Sequence, residues 1–381
     1  MKKTGIVVNS IGFGGNERSA VNIAGAIRDI SDVTIIIQED CGNHYGYQGK
    51  VINLDTPCSG TKAGKAVNAL RRIVRLKKVI RKEQIDTLFI ILPVSNPINY
   101  LRFGCRKIVS CRDCGDLIKR KEKYVSMTER SDMIVCNSQY QADMLAKAAP
   151  GLKQKTIAIY NILDIDRIRQ LKDEPVSREA SDFMQGHQCI ISAGRFAEAK
   201  GLNNLLKSFS LLIRKNNGAR LILIGDGENR DKVRQLISDL HLEPYILLIG
   251  FEENPFRYIS RSDVFVLPSF YEGFPNTLVE AMACGTAVAA TDCPSGPAEI
   301  LCGSAQTENT VTRYGALIRP FAEKDSSWDA GDIRAEHEAF ADMLERLLSD
   351  RDLSESLAAN AETRINEFTA DKIKSSWAEI L

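Results

Sequence analysis

Asp263 to Gly285 reads DVFVLPSFYEGFPNTLVEAMACG. Asp263 to Ser269 is a short apolar run with the character of a buried strand. A Gly/Pro loop follows, and after it a helical run that Asn276 is suited to cap. Strand, glycine loop and helix N-terminus in that order put free N–H groups and a positive dipole end at the carboxyl edge of a parallel sheet. An α/β protein holds a phosphate there. Glu272 and Glu280 stand eight residues apart, the first in the loop and the second in the expected opening turn of the helix. A carboxylate in the phosphate's place would repel it, so the two acids are expected to grip hydroxyls on either side. Hydroxyls, phosphate, then hydroxyls describe a nucleotide-sugar.

Outward from this segment, short apolar runs alternate with helical stretches, the signature of parallel α/β units. The first half offers strands at Gly5–Asn9, Val33–Gln38, Val51–Leu54, Thr87–Leu92, Lys107–Ser110, Met133–Cys136 and Thr156–Tyr160. The second offers Cys189–Ala193, Arg220–Ile224, Ile246–Ile249, Val264–Leu267, Ala287–Ala290 and Gly315–Ile318. Each half can therefore build its own doubly wound sheet, and 381 residues are too many for one ordinary core. Residues 164–186 are polar and lack a strand pattern, so the linker is expected there. The expected domains are 1–170 and 171–364, with a C-terminal helix of about 365–381 able to pack back on the first.

A composition of 44% hydrophobic and 26% charged residues is that of a soluble globular chain. The opening MKKTGIVVNSIGFGG mimics a signal peptide, but its apolar patch is short, broken by Asn9 and followed by glycines. It reads as a first strand entering a loop. The ten cysteines are scattered, several of them in apolar patterns (Cys136, Cys189, Cys284), and read as buried free thiols of a reducing cytoplasm. Cys105, Cys111 and Cys114 cluster, but no histidine between His44 and His187 supplies a fourth zinc ligand. None of the four histidines (His44, His187, His241, His337) has a nucleophile at motif spacing. Residues 1–150 carry 24 Lys+Arg against 14 Asp+Glu, a net +10, and the remainder carries −9. Such asymmetry points to an anionic partner for the first half.

Gly194-Arg195 follows the first strand of the second half, and Lys200-Gly201 comes shortly after (GRFAEAKG). Arg can clamp a diphosphate in bidentate fashion while Lys acts as a point charge, so the pair could neutralise a nucleoside diphosphate leaving group without a metal. A solvated surface pair is the competing reading, weakened by the acidic loop in the same half. Gly12-Phe13-Gly14-Gly15-Asn16-Glu17 lacks full dinucleotide-fingerprint spacing and leaves a small-residue loop for phosphate or sugar, or a simple turn. Asp164-Ile165-Asp166 resembles a metal-nucleotide motif but is accounted for by turn and capping residues. On the helix expected over Lys65 to Glu83, Arg71, Arg75, Lys78 and Lys82 form a basic stripe, and Leu70, Ile73, Leu76 and Ile80 an apolar face. Lys119, Arg120, Lys121 and Lys123 form a second basic cluster. An anionic membrane surface or a phosphate-bearing acceptor fits these better than nucleic acid, because only Tyr124 interleaves an aromatic.

The motifs GRFAEAKG, LILIGDGENR, GFEENPFRYISRSDVFVLPS, YEGFPNTLVEAMACGTAV and TDCPSGPAEIL, in that order, resemble the C-terminal domain of family 4 retaining glycosyltransferases. GFGGNER, IVSCRDC and VCNS resemble the N-terminal domain more weakly. The resemblance implies the GT-B fold, two Rossmann-like domains facing a cleft. It implies that Arg195 and Lys200 hold the donor diphosphate, that Glu280 binds ribose hydroxyls, and that Glu272 contacts the transferred sugar near its reacting face. The backbone of Gly273, Phe274, Pro275, Asn276, Thr277 and Leu278 would surround sugar and phosphate, with Gly14 and Gly15 as the phosphate loop of the first domain. Many relatives carry a His that touches the donor sugar near Arg112, where this chain reads Ser110-Cys111-Arg112-Asp113. That departure leaves open which sugar is used and what Arg112 does.

The implied mechanism is front-face substitution with retention, needing no base, nucleophile, metal or cofactor. The implied partners are a UDP-sugar and a lipid-linked or cell-surface glycan acceptor, with the enzyme peripheral at the cytoplasmic face of the membrane. Two alternatives stand beside it: a GT-B isomerase or phosphorylase acting on sugar phosphates, and a non-catalytic nucleotide-sugar-binding partner.

Overall fold

The computed structural model describes residues 1–12, 14–42, 45–57, 61–302, 309–322 and 327–381, the side chains of Lys62 and Ala63 excepted. Phe13 and His44 lie outside the described residues. The chain divides into two compact units, one of residues 1–163 with 368–381 and one of residues 164–367.

In the first unit, β1 (Lys2–Val8), β2 (Ser31–Ile37), β3 (Lys50–Asn53), β4 (Thr87–Ile90), β5 (Arg106–Cys111), β6 (Met133–Cys136) and β7 (Thr156–Ala158) form one parallel sheet in the order β3-β2-β1-β4-β5-β6-β7. Lys2–Val8 is thus an interior strand, flanked by β2 and β4. Its Ile6, Val7 and Val8 are fully buried, which accounts for the apolar run as an interior strand. The last helix, Ala370–Ile380, returns to this unit, where Trp377 meets Phe89 edge-on at 4.9 Å. Leu163 N–H also donates to the Phe368 carbonyl at 2.9 Å.

In the second unit, β8 (Gln188–Ala193), β9 (Ala219–Ile224), β10 (Ile246–Gly250), β11 (Val264–Leu267), β12 (Ala287–Thr291), β13 (Thr310–Val311) and β14 (Ala316–Ile318) pair in the order β10-β9-β8-β11-β12-β14-β13. All are parallel except the two-residue edge strand β13, which sequence patterning did not reveal because two residues show no periodicity. Leu205, Leu206 and Phe209 of helix Leu202–Lys215 pack with Leu221, Leu223, Val264, Val266 and Phe340 into the main core.

Several expectations need correction. Residues 164–186 are not an open linker: they form helices Ile165–Leu171 and Arg178–Met184, capped by Asp164 and Ser177, and the unit boundary falls after Leu163. Polar caps hid these short helices as loop. Leu70 is 65% exposed and leaves the apolar face of helix Lys62–Glu83 to Ile73, Leu76 and Ile80. At about 100° per residue it stands roughly 120° round the helix from Leu76. Arg75 is partly committed, donating to the carbonyls of Leu54 and Asp55, and Arg120 pairs with Asp116 at 3.1 Å, so each basic cluster has a member with local partners. Tyr124 is buried with its hydroxyl on Asp116, closed to stacking on a base.

His337 is buried in the second unit. It lies buried in the first turn of helix Ala335–Ser349, where the Arg334 N–H donates to its Nδ1 at 2.9 Å and its Nε2 lies 3.1 Å from Asn204 Oδ1. Beside it the buried Lys207 ammonium donates to the Ser327 carbonyl at 2.8 Å. Burial first, and Lys207 second, push the His337 pKa down to about 4. An unfolded histidine titrates near 6.5, so between those values the unfolded chain takes up a proton that the folded chain refuses. Stability therefore falls as pH drops through 6.5 and the loss levels off below about 4. Acidification from about pH 7 to 4.5 should remove about 2–3 kcal/mol through this group, and His337→Gln should lack that component. Urea unfolding of both proteins at the two pH values measures it, and identical acid sensitivity would contradict the account.

Candidate functional site

The strand order of the second sheet reverses between β8 and β11, and there the ladder between them has only two pairs, Ile190 with Val264 and Ile191 with Phe265. Beyond them Ser192 and Ala193 pair with β9 alone. The two strands part at their carboxyl ends, which opens the crevice where open α/β sheets bind ligands. A small cavity lies here, lined by Ala193, Gly194, Arg195, Lys200, Pro268 and Ser269 among others.

The two sequence segments singled out are the two lips of this crevice. After β8 the chain forms a short turn, Glu198–Lys200, that ends at Gly201. Gly201 has φ +60°, and a Cβ there would lie 2.1 Å from the Pro268 carbonyl oxygen, so only glycine lets the turn close against the loop after β11. Phe270 N–H donates to the Ala199 carbonyl at 2.8 Å and locks the lips together. Lys200 Nζ then reaches Glu272 Oε1 at 2.7 Å, and Ser269 Oγ donates to the same oxygen at 2.6 Å. The Arg195 guanidinium is exposed at the edge of the crevice and makes no hydrogen bond or ion pair among the described residues. One cation is thus held by the loop carboxylate and the other stands open to an anion.

The loop continues through Gly273, Phe274 and Pro275 into helix Asn276–Cys284. Pro275, not Asn276, is the N-cap, and no side chain caps this end. Proline's fixed φ sets the turn, leaving Asn276 and Thr277 half-buried in the first helical turn. Leu278 is buried and its N–H closes on the Pro275 carbonyl at 3.0 Å. Glu280 lies one turn deeper than the sequence reading put it, in the second turn, and it is buried.

The candidates of the first unit are less uniform. Gly15 opens helix Gly15–Ile27, and Gly14 precedes it. A Cβ on Gly14 would lie 2.2 Å from Glu17 Oε2, so this helix start already holds a carboxylate of its own, whose pKa burial raises. Arg112 follows β5 and donates from Nη1 to Ser19 Oγ at 2.7 Å and Asn161 Oδ1 at 2.6 Å. Among the described residues its Nε is sealed from solvent without a partner and no carboxylate pairs with it, while burial lowers its pKa to about 10. A guanidinium desolvated among neutral groups is costly unless an anion completes its shell.

Asp164 caps helix Ile165–Leu171 through its bond to Arg167 N–H at 3.0 Å, which leaves it a capping residue. Among the described residues no group of three His, Cys, Asp or Glu is placed to hold a metal. Cys111 and Cys114 are buried and Cys105 is half-buried, with burial pushing the Cys111 thiol up. Sequence reasoning missed Ser269 and Glu17. The signal for each was spacing: Ser269 stands three residues before Glu272, and Glu17 at the third helical position after Gly14.

Residues 173–314 match the family described as glycosyl transferases group 1. The chain is 30% identical to an uncharacterized glycosyltransferase of Methanocaldococcus jannaschii over 80% of its own length and 74% of that protein's. It is 25% identical to the N-acetylgalactosamine-N,N'-diacetylbacillosaminyl-diphospho-undecaprenol 4-alpha-N-acetylgalactosaminyltransferase of Campylobacter jejuni, over 98% of this chain and 97% of the relative. The crystal structure of Anabaena HepE in complex with UDP-glucose superposes with a TM-score of 0.76 at 18% identity, covering 100% of this chain and 99% of that one, a likeness of fold. Its two α/β units, its crevice and its relatives together show that the chain belongs to the group 1 glycosyl transferases, family 4 glycosyltransferases of GT-B fold.

Proposed function

We propose that this glycosyltransferase moves a hexosyl or N-acetylhexosaminyl group, with retention, from a UDP-sugar to a lipid-linked glycan. The observation that carries the reading is the crevice between β8 and β11, where Arg195 and Lys200 face the loop of Glu272 and the helix of Glu280. Two cations suit a diphosphate, and the flanking carboxylates suit hydroxyls. The Campylobacter jejuni relative transfers N-acetylgalactosamine to a diphospho-undecaprenol glycan, which favours a UDP-N-acetylhexosamine and a polyprenyl-diphosphate acceptor here.

In the proposed reaction the bond from the sugar's anomeric carbon to the diphosphate breaks as the acceptor hydroxyl attacks the same face. The hydroxyl's proton passes to the departing phosphate oxygen, giving the lengthened glycan and UDP. Arg195 and Lys200 stabilise the charge that develops on the diphosphate. Lys200 is released from Glu272 when the diphosphate competes for it, and Glu272 turns to the sugar hydroxyls. Glu280, buried at the helix, takes the ribose.

Two predictions follow from this division of labour. Glu280→Ala should weaken UDP binding by about 1.5–3 kcal/mol, roughly 10- to 150-fold, whereas Glu272→Ala should depress turnover while UDP still binds. Calorimetric titration with UDP and steady-state kinetics separate the two, and equal loss of UDP affinity in both variants would contradict the assignment. Turnover should also persist in excess chelator, because the two cations stand where a metal would otherwise neutralise the diphosphate. Abolition by chelator with recovery on adding manganese or magnesium would overturn this.

The acceptor side of the proposal rests on the first unit. No described helix is long and apolar enough to cross a membrane. Helix Lys62–Glu83 instead exposes Val67, Leu70 and Val74, at 49%, 65% and 60%, along one face. Lys77, Lys78, Arg81 and Lys82 border Val74 around a shallow concavity on the same helix. Apolar side chains fringed by ammonium and guanidinium groups suit the interface of an anionic lipid layer, and each charge there contributes about 1 kcal/mol. A peripheral enzyme held so would meet lipid-linked acceptors at the cytoplasmic face. Changing Lys77, Lys78, Arg81 and Lys82 to Glu should abolish sedimentation with anionic vesicles at low salt, and high salt should weaken it for the wild type. Equal sedimentation of both proteins, or indifference to lipid charge, would contradict docking.

A further inference from the structure

The loop after β12, Asp292 to Gly296, takes a backbone shape that serine disfavours. Ser295 has φ +78° and Gly296 φ +30°. Among described residues with side chains only Asp55, Gln84 and His241 share a positive φ, and of these Gln84 caps a helix and His241 follows one. Ser295 is bonded to the loop that carries Glu272. A side chain persists in that region only where its surroundings hold it there, and such positions cluster at functional sites.

What holds it is the loop of Glu272. Ser295 Oγ donates to the Gly273 carbonyl at 2.6 Å. A Cβ on Gly296 would lie 2.3 Å from Pro275 Cδ, so the two loops are pressed together with no room for a side chain between them. The other end of the same loop is tied from the same strand: Thr291 Oγ1 donates to the Ser269 carbonyl at 2.5 Å, and Ser269 in turn donates to Glu272. The carboxyl end of β12 therefore grips the segment Ser269–Gly273 at both ends through two hydroxyls. A peptide unit is planar, and its C=O and N–H point in opposite directions. Drawing the Gly273 carbonyl toward Ser295 aims the Phe274 N–H to the opposite side of the loop. Glycine would adopt φ +78° without strain but could not make this bond.

We propose that Ser295 is a positioning residue for the transfer reaction: its hydroxyl sets the orientation of the Gly273–Phe274 peptide, so that the loop's backbone meets the sugar–phosphate of the donor. The inference rests on the donor-site reading above. Loss of the hydroxyl frees the peptide to rotate, which misplaces the loop by a fraction of its length without dismantling the nucleotide-binding helix.

The test is Ser295→Gly in the full chain, with Ser295→Ala and Glu280→Ala beside it. Three quantities are measured: UDP affinity by calorimetry, UDP release from UDP-N-acetylgalactosamine, and Tm. Ser295→Gly should keep UDP affinity within about twofold and show an equal or higher Tm, because strain is relieved, while UDP release falls roughly tenfold or more. Ser295→Ala, which keeps the strain and loses the hydroxyl, should lose both turnover and Tm. Wild-type turnover in Ser295→Gly overturns the inference, and so does a fall in turnover matched by lower UDP affinity and lower Tm, the mark of a merely structural role. Full UDP affinity in Glu280→Ala would instead remove the donor-site reading itself, and the inference with it.

Discussion

The ion pair between Lys200 and Glu272, 2.7 Å long, spans the gap where β8 and β11 separate. It can form only because Gly201 brings the turn after β8 against Pro268, and because Ser269 holds the Glu272 carboxylate from behind. The carboxylate is nearly buried and the ammonium less than a third exposed, so the pair is largely shielded from water. A nucleoside diphosphate carries more negative charge than one carboxylate and would compete for Lys200 with help from the open Arg195. Glu272 would then be released toward hydroxyls. The resting pair is, on this account, the state from which donor binding starts.

Charge is distributed between the units with a comparable logic. The acidic residues of the second unit are local partners: Asp226 for Arg230 at 2.8 Å, Glu252 for Arg257 at 3.0 Å, Asp332 for Arg334 at 2.9 Å. The first unit keeps surplus cations on the exposed face of helix Lys62–Glu83 and, among the described residues, leaves Arg112 without a carboxylate. Meanwhile its helix start at Gly15 is already occupied by Glu17, so an anion approaching that loop must displace a resident carboxylate or bind beside it. Arg112 is the better candidate for negative charge in this unit, and Gly14 and Gly15 suit hydroxyls more readily than phosphate.

The strands were legible in the sequence because parallel strands buried on both faces are continuous apolar runs, and the thirteen proposed have ends within three residues of those observed. The second unit's crevice was legible too, since glycine loops and helix starts punctuate the chain where the sheet ends. Helices Ile165–Leu171 and Arg178–Met184 were hidden by their brevity and polar caps. Leu70 was misassigned because a helix that is apolar on two stripes fits more than one face. The contacts that tie the site loop from outside, Thr291 to Ser269 and Ser295 to Gly273, join residues brought together by the sheet order. Hydroxyl side chains of this kind leave no periodic trace, and only the folded chain reveals which carbonyl each one meets.

A crystal structure with UDP bound tests the central claim most directly. The account predicts the diphosphate within hydrogen-bonding distance of both Arg195 and Lys200, the ribose hydroxyls on Glu280, and the Lys200–Glu272 pair opened. UDP bound away from the carboxyl ends of β8 and β11, or bound there with the ion pair intact and Glu280 turned from the ribose, would contradict it.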